Sequence, residues 1–458
     1  MDQTTATPRP RRGDELTVKI DALAHGGAGV ARHEGYVVFV PGAIPGDTVR
    51  VQLGRSKRAY GEARVLDLLA PSPDRIEPLA RHPGASWQVL PYARQLEIKA
   101  AQVDDALRRI GRLDGYALEP ILAAVQQWRY RNKLEYSFGA DASGRLICGF
   151  HAPGRWEEIV EVSDCLLASD PGNAAREEVV RWCRAQRLEP YDRRTSTGFL
   201  RNLVVREGRR SGELQVRLVT SRALPAGGFD AEALAAACPT AGGLLWTRLH
   251  SVAETTAGGE TELVAGAARL EEELGGLRIA ISAGAFFQTN TEMAERLYEL
   301  AVQYAELGPF DRVYDLYCGI GTIALLMAPR AAEVWGLEIV ADAVADAISC
   351  ARRNEVENAH FFAGDVRLAL RELVARAGRP DVLVVDPPRA GLSQKVVRRI
   401  IEAAPKRIVY VSCNPTTLAP NAAQLVEAGY ELTKVRPVDM FPQTPHIECV
   451  AALVRRGG

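Results

Sequence analysis

The sequence predicts an α/β protein in three parts, and three patterns predict it. The last third alternates strictly: RVYDLY, EVWGLE, AHFFAG, DVLVVD and RIVYVS are short β-rich runs, each followed by a helical stretch, and YELTKVRPV and ECVAALV close the chain as strands. Parallel strands need a crossover to return the chain, so this alternation predicts a parallel, doubly wound sheet, here finished by an antiparallel hairpin. The opening has no helical period at all. LTVKIDAL, YVVFV, DTVRVQL and GEARVLDL follow one another at close spacing between Gly and Pro turn signals, the pattern of a small barrel of the oligonucleotide-binding kind. Between these two regions strands and helices mix without alternation, which predicts an α+β domain.

Size and composition agree with three parts. A chain of 458 residues fits about three domains at roughly 150 residues each. Hydrophobic content of 47% and charged content of 25% are ordinary globular values, and no apolar run approaches the roughly 18 to 20 residues of a membrane span. The start, MDQTTATPRPRRGDE, lacks an apolar core of the secretory kind, so a cytoplasmic protein with a disordered tail over residues 1–12 is expected. Net charge of −1 neither favours nor excludes nucleic acid, because a basic stripe on one domain can be cancelled by acidic surface on another. The eight cysteines are scattered without CxxC pairs, which argues against a disulfide framework and a closed zinc site. No bound metal, no membrane contact and no dedicated dimer interface are expected, so the chain reads as a monomer.

Residues 13–72 form the expected barrel. They carry Arg50, Arg55, Lys57, Arg58 and Arg64 with Tyr60 among them, a set able to follow a phosphate backbone and stack a base; charges protecting an ordinary strand edge would look the same. Pro71 to Pro83 reads as a linker. In YARQLEIKAAQVDDALRRI, Leu96, Ala100, Val103, Leu107 and Ile110 share one helical face, and Gly111 stops the helix. Residues 73–285 make the α+β domain, with strands in RYRNKLEYSFGA, FLRNLVVRE, ELQVRLVT and GGLLWTRLH and helices near 169–188 and 230–237. Its Trp128-to-Lys133 segment is a basic and aromatic cluster that suits RNA contact, although a strand entering a core from a polar loop would look similar. Residues 286–458 are the doubly wound domain.

The candidate site lies on this last domain. Strand RVYDLY runs into CGIGT, and glycines directly after a first strand let the backbone approach a ligand where a Cβ would clash. Glu338, Asp365 and Asp386 each fall at the carboxyl end of a successive strand. An acid about 20 residues past the glycines is placed to accept from ribose hydroxyls, with Asp365 toward the adenine edge. Any one of them could be a helix N-cap, but three on one rim are hard to explain by capping. No Walker A sequence is present to hold a polyphosphate, which leaves S-adenosyl-L-methionine as the expected cofactor. Asp386-Pro387-Pro388-Arg389 resembles the Asp/Asn-Pro-Pro-Tyr loop of amino-methyltransferases but has Arg389 in place of the aromatic, which counts against methylation of an amino nitrogen.

KRIVYVSCNP is a buried-strand pattern that stops on Cys413, where open α/β sheets place their ligands. Read alone, Cys413 is more simply a small buried apolar residue. Carbon 5 of uracil, however, becomes nucleophilic only after something adds to carbon 6, and a thiolate suits that conjugate addition. The carbon 5 proton must then be removed, and Glu448, at the start of the last strand, is the candidate base.

GAFFQTN, DLYCGIGT, DPPRAG, VSCNPTTLA and PHIEC, in this order and at these separations, resemble the S-adenosylmethionine-dependent RNA (uracil-C5)-methyltransferases. The opening GDELTVKIDALAHGGAGVAR is similar to the TRAM domain, an RNA-binding barrel found on members that modify 23S ribosomal RNA. The resemblance implies a Rossmann-like class I methyltransferase domain, Cys413 as nucleophile and Glu448 as base. It implies Gln288, Tyr317, Thr322, Glu338, Asp365 and Asp386 as cofactor contacts, with Gln288 also near the target base, and helix 92–112 packed on the catalytic domain. RNA is the implied partner, 23S ribosomal RNA in particular, with transfer RNA as the alternative; a cytosine-C5 enzyme and an inactive RNA-binding protein are the rivals. The chain departs from the family in two places. Many ribosomal-RNA members hold an iron-sulfur cluster with four cysteines, whereas PLARHPGASWQVL contains none and only Cys165 remains, so no cluster is expected. Leu418-Ala419-Pro420-Asn421 also stands where the family more often continues Ala-Arg-Asp.

Overall fold

The computed structural model of the protein describes residues 9–251, 253 and 255–457. Most of the tail expected at 1–12 lies outside them. Arg9 and Pro10, at its end, rest on the barrel, where the Arg9 guanidinium donates to the Ser56 hydroxyl and that hydroxyl donates to the Pro10 carbonyl.

Strands β1 (Glu15–Leu23), β2 (Gly29–His33), β3 (Tyr36–Val40), β4 (Thr48–Ser56) and β5 (Tyr60–Ala70) close into a barrel in the order β1-β2-β3-β5-β4. Period-two alternation makes it close. Val18, Ile20, Val49, Val51 and Leu53 are buried inside, while Lys19 and Arg50 between them face out. Pro71 to Pro83 has no regular structure, yet it is fixed rather than free: the Ser72 amide and the Arg75 guanidinium both donate to Asp47, whose side chain is fully buried. Proline-rich composition reports the loss of ladder hydrogen bonds, not of contacts.

Helix α1 (Tyr92–Asp105) continues as one π-helical turn to Ile110 and ends at Gly111. Its buried side chains are Gln95, Lys99, Val103, Ala106 and Leu107, while Leu96 and Ala100 are half-buried and Ile110 is 51% exposed. The face is therefore turned from the apolar stripe, because two polar residues on α1 have buried partners that no helical period reports.

After β6 (Ala117–Leu118), a seven-stranded sheet forms in the order β13-β12-β11-β10-β7-β8-β9. Its strands are β7 (Lys133–Ala140), β8 (Leu146–Ala152), β9 (Arg155–Glu161), β10 (Leu200–Glu207), β11 (Leu214–Ser221), β12 (Gly243–Leu249) and β13 (Glu260–Gly266), with α2 (Asp170–Ala185) and α3 (Ala231–Ala236) packed on it. A hairpin, β14 (Arg269–Leu274) and β15 (Leu277–Ser282), leads to α4 (Thr291–Ala305).

The last region alternates as β16 (Arg312–Leu316), α5 (Thr322–Met327), β17 (Glu333–Glu338), α6 (Ala341–Arg353), β18 (Ala359–Ala363), α7 (Val366–Ala377), β19 (Val382–Val385), α8 (Gln394–Ala403), β20 (Arg407–Ser412), α9 (Pro415–Glu427), β21 (Tyr430–Val438) and β22 (Glu448–Arg455). These build an eight-stranded sheet, β18-β17-β16-β19-β20-β22-β21-β6, whose β16 to β20 pairings are parallel and whose β20-β22 and β22-β21 pairings are antiparallel. The expected fold class is present. Successive residues of the parallel strands enter opposite cores: Val409 and Val411 pack with α4, α5 and α6, whereas Ile408 and Tyr410 pack with α7, α8, α9 and the end of α1. Helices on both faces are why these strands read as unbroken apolar runs. The Leu418-to-Asn421 departure sits inside α9, where buried Asn421 accepts from the Leu392 amide and the Tyr410 hydroxyl.

Candidate active site

Strand β16 has β17 on one side and β19 on the other, so the strand order reverses there and opens a crevice at the carboxyl ends of β16 and β19. The turn after β16 is tight. Tyr317, Gly319 and Gly321 all have positive φ, of 65°, 54° and 80°. A Cβ on Gly319 would meet no atom within 4 Å, whereas one on Gly321 would lie 2.7 Å from the Phe361 ring. Gly319 therefore leaves room for a ligand and Gly321 leaves room for packing. Buried Thr322 begins α5.

Glu338, at the end of β17, accepts from the Gly319 amide at 3.2 Å and the Val340 amide at 2.9 Å. It thereby locks the glycine turn against the next strand, beside exposed Ile339 and Val340. Asp365 is the N-cap of α7, accepting from the Arg367 amide at 2.9 Å, and its carboxylate also chelates the Arg367 guanidinium. Capping, which the shared rim seemed to exclude, is thus one of its duties. The half-buried Tyr317 hydroxyl is pushed up by desolvation and by the nearby Asp365 and Glu338 carboxylates, which gathers these residues on one side of the crevice.

On the other side the charges are acidic and dry. Burial pushes Asp386 up to about 7. Asp315, in the floor, is raised well above the usual carboxylate range by burial and by Asp386; one oxygen accepts from the Ala324 amide at 3.1 Å and the other is buried without a partner. The open space above Gly319, an orphaned acceptor at Asp315 and apolar side chains beside Glu338 fit a ligand with a ribose, an adenine and a cationic centre.

The antiparallel ladder of β20 and β22 ends with Ser412 paired to Cys449, so Cys413 follows the end of one strand beside Glu448 at the start of the other. The half-buried Cys413 thiol is pushed up to about 12 by burial and by the Glu448 and Asp386 carboxyls, with Arg389 opposing. Glu448, 3% exposed, is raised by burial and by Asp386, again with Arg389 opposing. Gln288, on the turn before α4, approaches the buried Tyr298 hydroxyl, which in turn feels Asp386, Glu448 and Asp315. The fold therefore joins Cys413, Glu448, Asp386 and Gln288 in one pocket, and it sets Tyr317, Thr322, Glu338 and Asp365 along the adjoining crevice.

Sequence reading missed several partners. Asp315 opens the DLYCGIGT motif, so its position there was the available signal. Arg389 is the cation that acts on both Cys413 and Glu448; its carbonyl accepts from Asn414 Nδ2 at 3.0 Å, and its Nη2 lies 3.3 Å from His446 Nδ1. Nothing in the pattern marks Tyr298, a buried helical position like any other. The Trp128-to-Lys133 cluster is largely consumed inside the protein. Arg129 pairs with Asp164, Tyr130 is fully buried, and Asn132 Nδ2 donates to the Gln288 carbonyl and the Thr291 hydroxyl, both at 2.8 Å.

A clamp holds the loop from Asp439 to His446 that leads into Glu448. Lys99 of α1 donates to Asp439 at 2.5 Å and to the Phe441 carbonyl at 3.0 Å, and the Tyr92 hydroxyl donates to Asp439 at 2.8 Å. Gln95 donates to the Gln443 side chain and accepts from its amide.

Comparison with known proteins follows the same outline. Residues 277–456 match the family described as tRNA (Uracil-5-)-methyltransferase, and residues 9–66 match the TRAM domain. An uncharacterised RNA methyltransferase of Halalkalibacterium halodurans is 37% identical over 447 residues, 96% of this chain and 97% of the relative. One of Chlorobaculum tepidum is 38% identical over 478 residues, 98% of each. Among solved structures, the tRNA (uracil-54, C5)-methyltransferase of Pyrococcus abyssi, in complex with S-adenosyl-L-homocysteine, superposes with a TM-score of 0.76 at 27% identity, covering 96% of this chain and 100% of that one. The chain belongs to the RNA (uracil-5-)-methyltransferase family, with a TRAM domain, and is an enzyme that uses S-adenosyl-L-methionine.

Proposed function

We propose that this enzyme methylates carbon 5 of a uridine in 23S ribosomal RNA through a covalent adduct between Cys413 and carbon 6. The observation that carries the reading is that a half-buried thiol, just past the end of β20, lies close enough to the buried carboxyl that begins β22 to feel its charge. The target uridine leaves its stack, because carbon 6 is inaccessible within one. As the thiolate that Arg389 favours, Cys413 bonds through sulfur to carbon 6 and the ring electrons shift toward the carbonyl oxygen at carbon 4. Gln288, Tyr317, Thr322, Glu338, Asp365 and Asp386 would hold S-adenosyl-L-methionine, which would supply an electrophilic methyl group to carbon 5 and leave as S-adenosyl-L-homocysteine. Glu448 then accepts the carbon 5 proton, the sulfur-carbon bond breaks, and the ring double bond returns. Arg389 favours the charged forms of both Cys413 and Glu448, which burial opposes.

The barrel supports ribosomal RNA as the substrate. Transfer RNA is the second reading, favoured by the full-length likeness to the Pyrococcus abyssi enzyme. Residues 13–72, 73–285 and 286–458 act in this proposal as RNA-binding, central and catalytic parts of a cytoplasmic monomer. No helix among the described residues is long and apolar enough to cross a membrane. No iron-sulfur cluster is part of this proposal, because of the four cysteines the resemblance implies for one only Cys165 has a counterpart in the chain.

The deciding experiment is methyl transfer from labelled S-adenosyl-L-methionine to unmodified ribosomal and transfer RNA, followed by nucleoside analysis. 5-Methyluridine in 23S ribosomal RNA is expected; 5-methyluridine in transfer RNA alone replaces the substrate, and methylcytidine replaces the target base. In parallel, Glu448→Gln is expected to accumulate a covalent RNA-protein adduct on a denaturing gel, since the thiol adds while elimination stalls. Free RNA alone removes Glu448 from the role of base.

A further inference from the structure

On the central sheet, away from the switch-point crevice, a cavity of about 280 Å³ opens between edge strand β9 and the loop at Pro190 to Arg194. Its size is just below the roughly 300 Å³ at which small-molecule clefts begin, enough for one nucleotide and too small for a helix or a strand.

Its lining includes the aromatic rings of Trp156 and Tyr191 and three guanidinium groups, of which Arg194 faces the Glu157 and Asp192 carboxylates that also line it. Trp156, on β9, is 56% exposed, an unusual place for the largest apolar side chain, and Arg193 lies 5.8 Å from its ring centroid. Arg201, on β10, lies 5.0 Å from the Tyr191 centroid. Arg201 is 6% exposed, and its guanidinium donates to the backbone carbonyls of Ser251 and Ala253, so its side-chain hydrogen bonds leave the positive charge without a carboxylate. Burial and the neighbouring Arg193 both lower its pKa. With both lining carboxylates near Arg194, the desolvated Arg201 guanidinium makes a place that an anion stabilises. On the floor, Ser137 Oγ and His151 Nε2 lie 3.0 Å apart and offer polar edges.

We infer that this cavity is a second nucleotide site, which takes one unstacked base of the substrate RNA on the Trp156 ring and its phosphate against Arg201 and Arg193. Aromatic rings and guanidinium planes are the surfaces on which single-stranded bases stack, and a buried arginine supplies the phosphate contact. The inference rests on RNA being the substrate, but not on which RNA or on the route of methylation. With the catalytic pocket it gives the enzyme two holds on a refolded RNA segment.

The test uses the full-length protein and reads binding apart from methylation. Uridine 5′-monophosphate, adenosine 5′-monophosphate, ribose 5-phosphate and inorganic phosphate are titrated by calorimetry against the native protein and Trp156→Ala, whose exposed side chain is not needed for folding. The two nucleotides are expected to bind the native protein at least about 10-fold more tightly than ribose 5-phosphate or phosphate, and Trp156→Ala is expected to abolish that preference. Stacking of about 1 to 3 kcal/mol per base corresponds to a roughly 5- to 100-fold loss of affinity for substrate RNA in the variant, with the methylation rate at saturating RNA unchanged. Nucleotides that bind no better than phosphate, or RNA affinity equal in the two proteins, overturn the inference. Either result leaves the methylation assay to be judged on its own.

Discussion

Two sets of buried ionisable groups lie within one loop of each other and are built on opposite principles. In the clamp, Lys99 and Asp439 are both fully buried, and each charge is satisfied: the ammonium by a carboxylate and a carbonyl, the carboxylate also by Tyr92. In the candidate pocket, Glu448 and Cys413 share Arg389 as their opposing cation, Asp386 is raised by burial alone, and all three are pushed toward their neutral forms. A paired buried charge fixes a position, whereas an unpaired one stores an unmet demand that a ligand satisfies. The clamp holds the loop that delivers Glu448, so the satisfied set sustains the strain of the other.

Removing the proposed nucleophile tests the comparison most severely. Cys413→Ala is expected to lower methyl transfer on the order of 10⁴-fold or more while S-adenosyl-L-methionine binding stays within about 2-fold. Weakened cofactor binding in a calorimetric titration would mean that the thiol belongs to the cofactor site instead. Next in size is the clamp. Lys99→Met leaves Asp439 buried without its cation and is expected to cost about 3 to 5 kcal/mol in chemical denaturation; a loss under 1 kcal/mol would show that the pair fixes nothing.

The pocket acids should behave in the opposite sense. Asp386, raised to about 7, holds a proton in the folded state that the unfolded chain releases from about pH 4 upward, so its stabilising share is lost as pH rises from about 4 to 7. Asp386→Asn is therefore expected to leave stability unchanged at pH 4 and to raise it by about 1 to 2 kcal/mol at pH 8, while activity falls. Equal melting curves for the two proteins at pH 8 would remove the contrast with the clamp. The smallest effect falls on Arg389. Its replacement by methionine withdraws the cation that favours the thiolate, so the alkaline rise of the pH-rate profile should move to higher pH and the rate at pH 8 should drop roughly 3- to 10-fold. An unmoved profile would assign Arg389 to holding the loop alone.

The sequence by itself determined the parts made of local pattern. Alternating strands and helices specify the parallel sheet, because burial on both faces demands apolar runs between crossovers. Glycines directly after a strand make the CGIGT turn legible, and the end of a strand is a position any reader can count to, so Glu338, Asp365 and Asp386 stand out on one rim, whereas Cys413 and Glu448 read alone as ordinary residues and are singled out by the motifs around them. Only the tertiary structure decided which of these groups share a dielectric. Lys99 and Asp439 are 340 positions apart, and the side of α1 that faces the protein turns toward that pair instead of following the apolar stripe. The same holds at Tyr298, an ordinary helical core position until the fold sets it under three carboxyls. Hydrophobic period reports how much surface an element buries. The charge that waits for it inside comes from another part of the chain, and its desolvation and its partners are fixed only when the two meet.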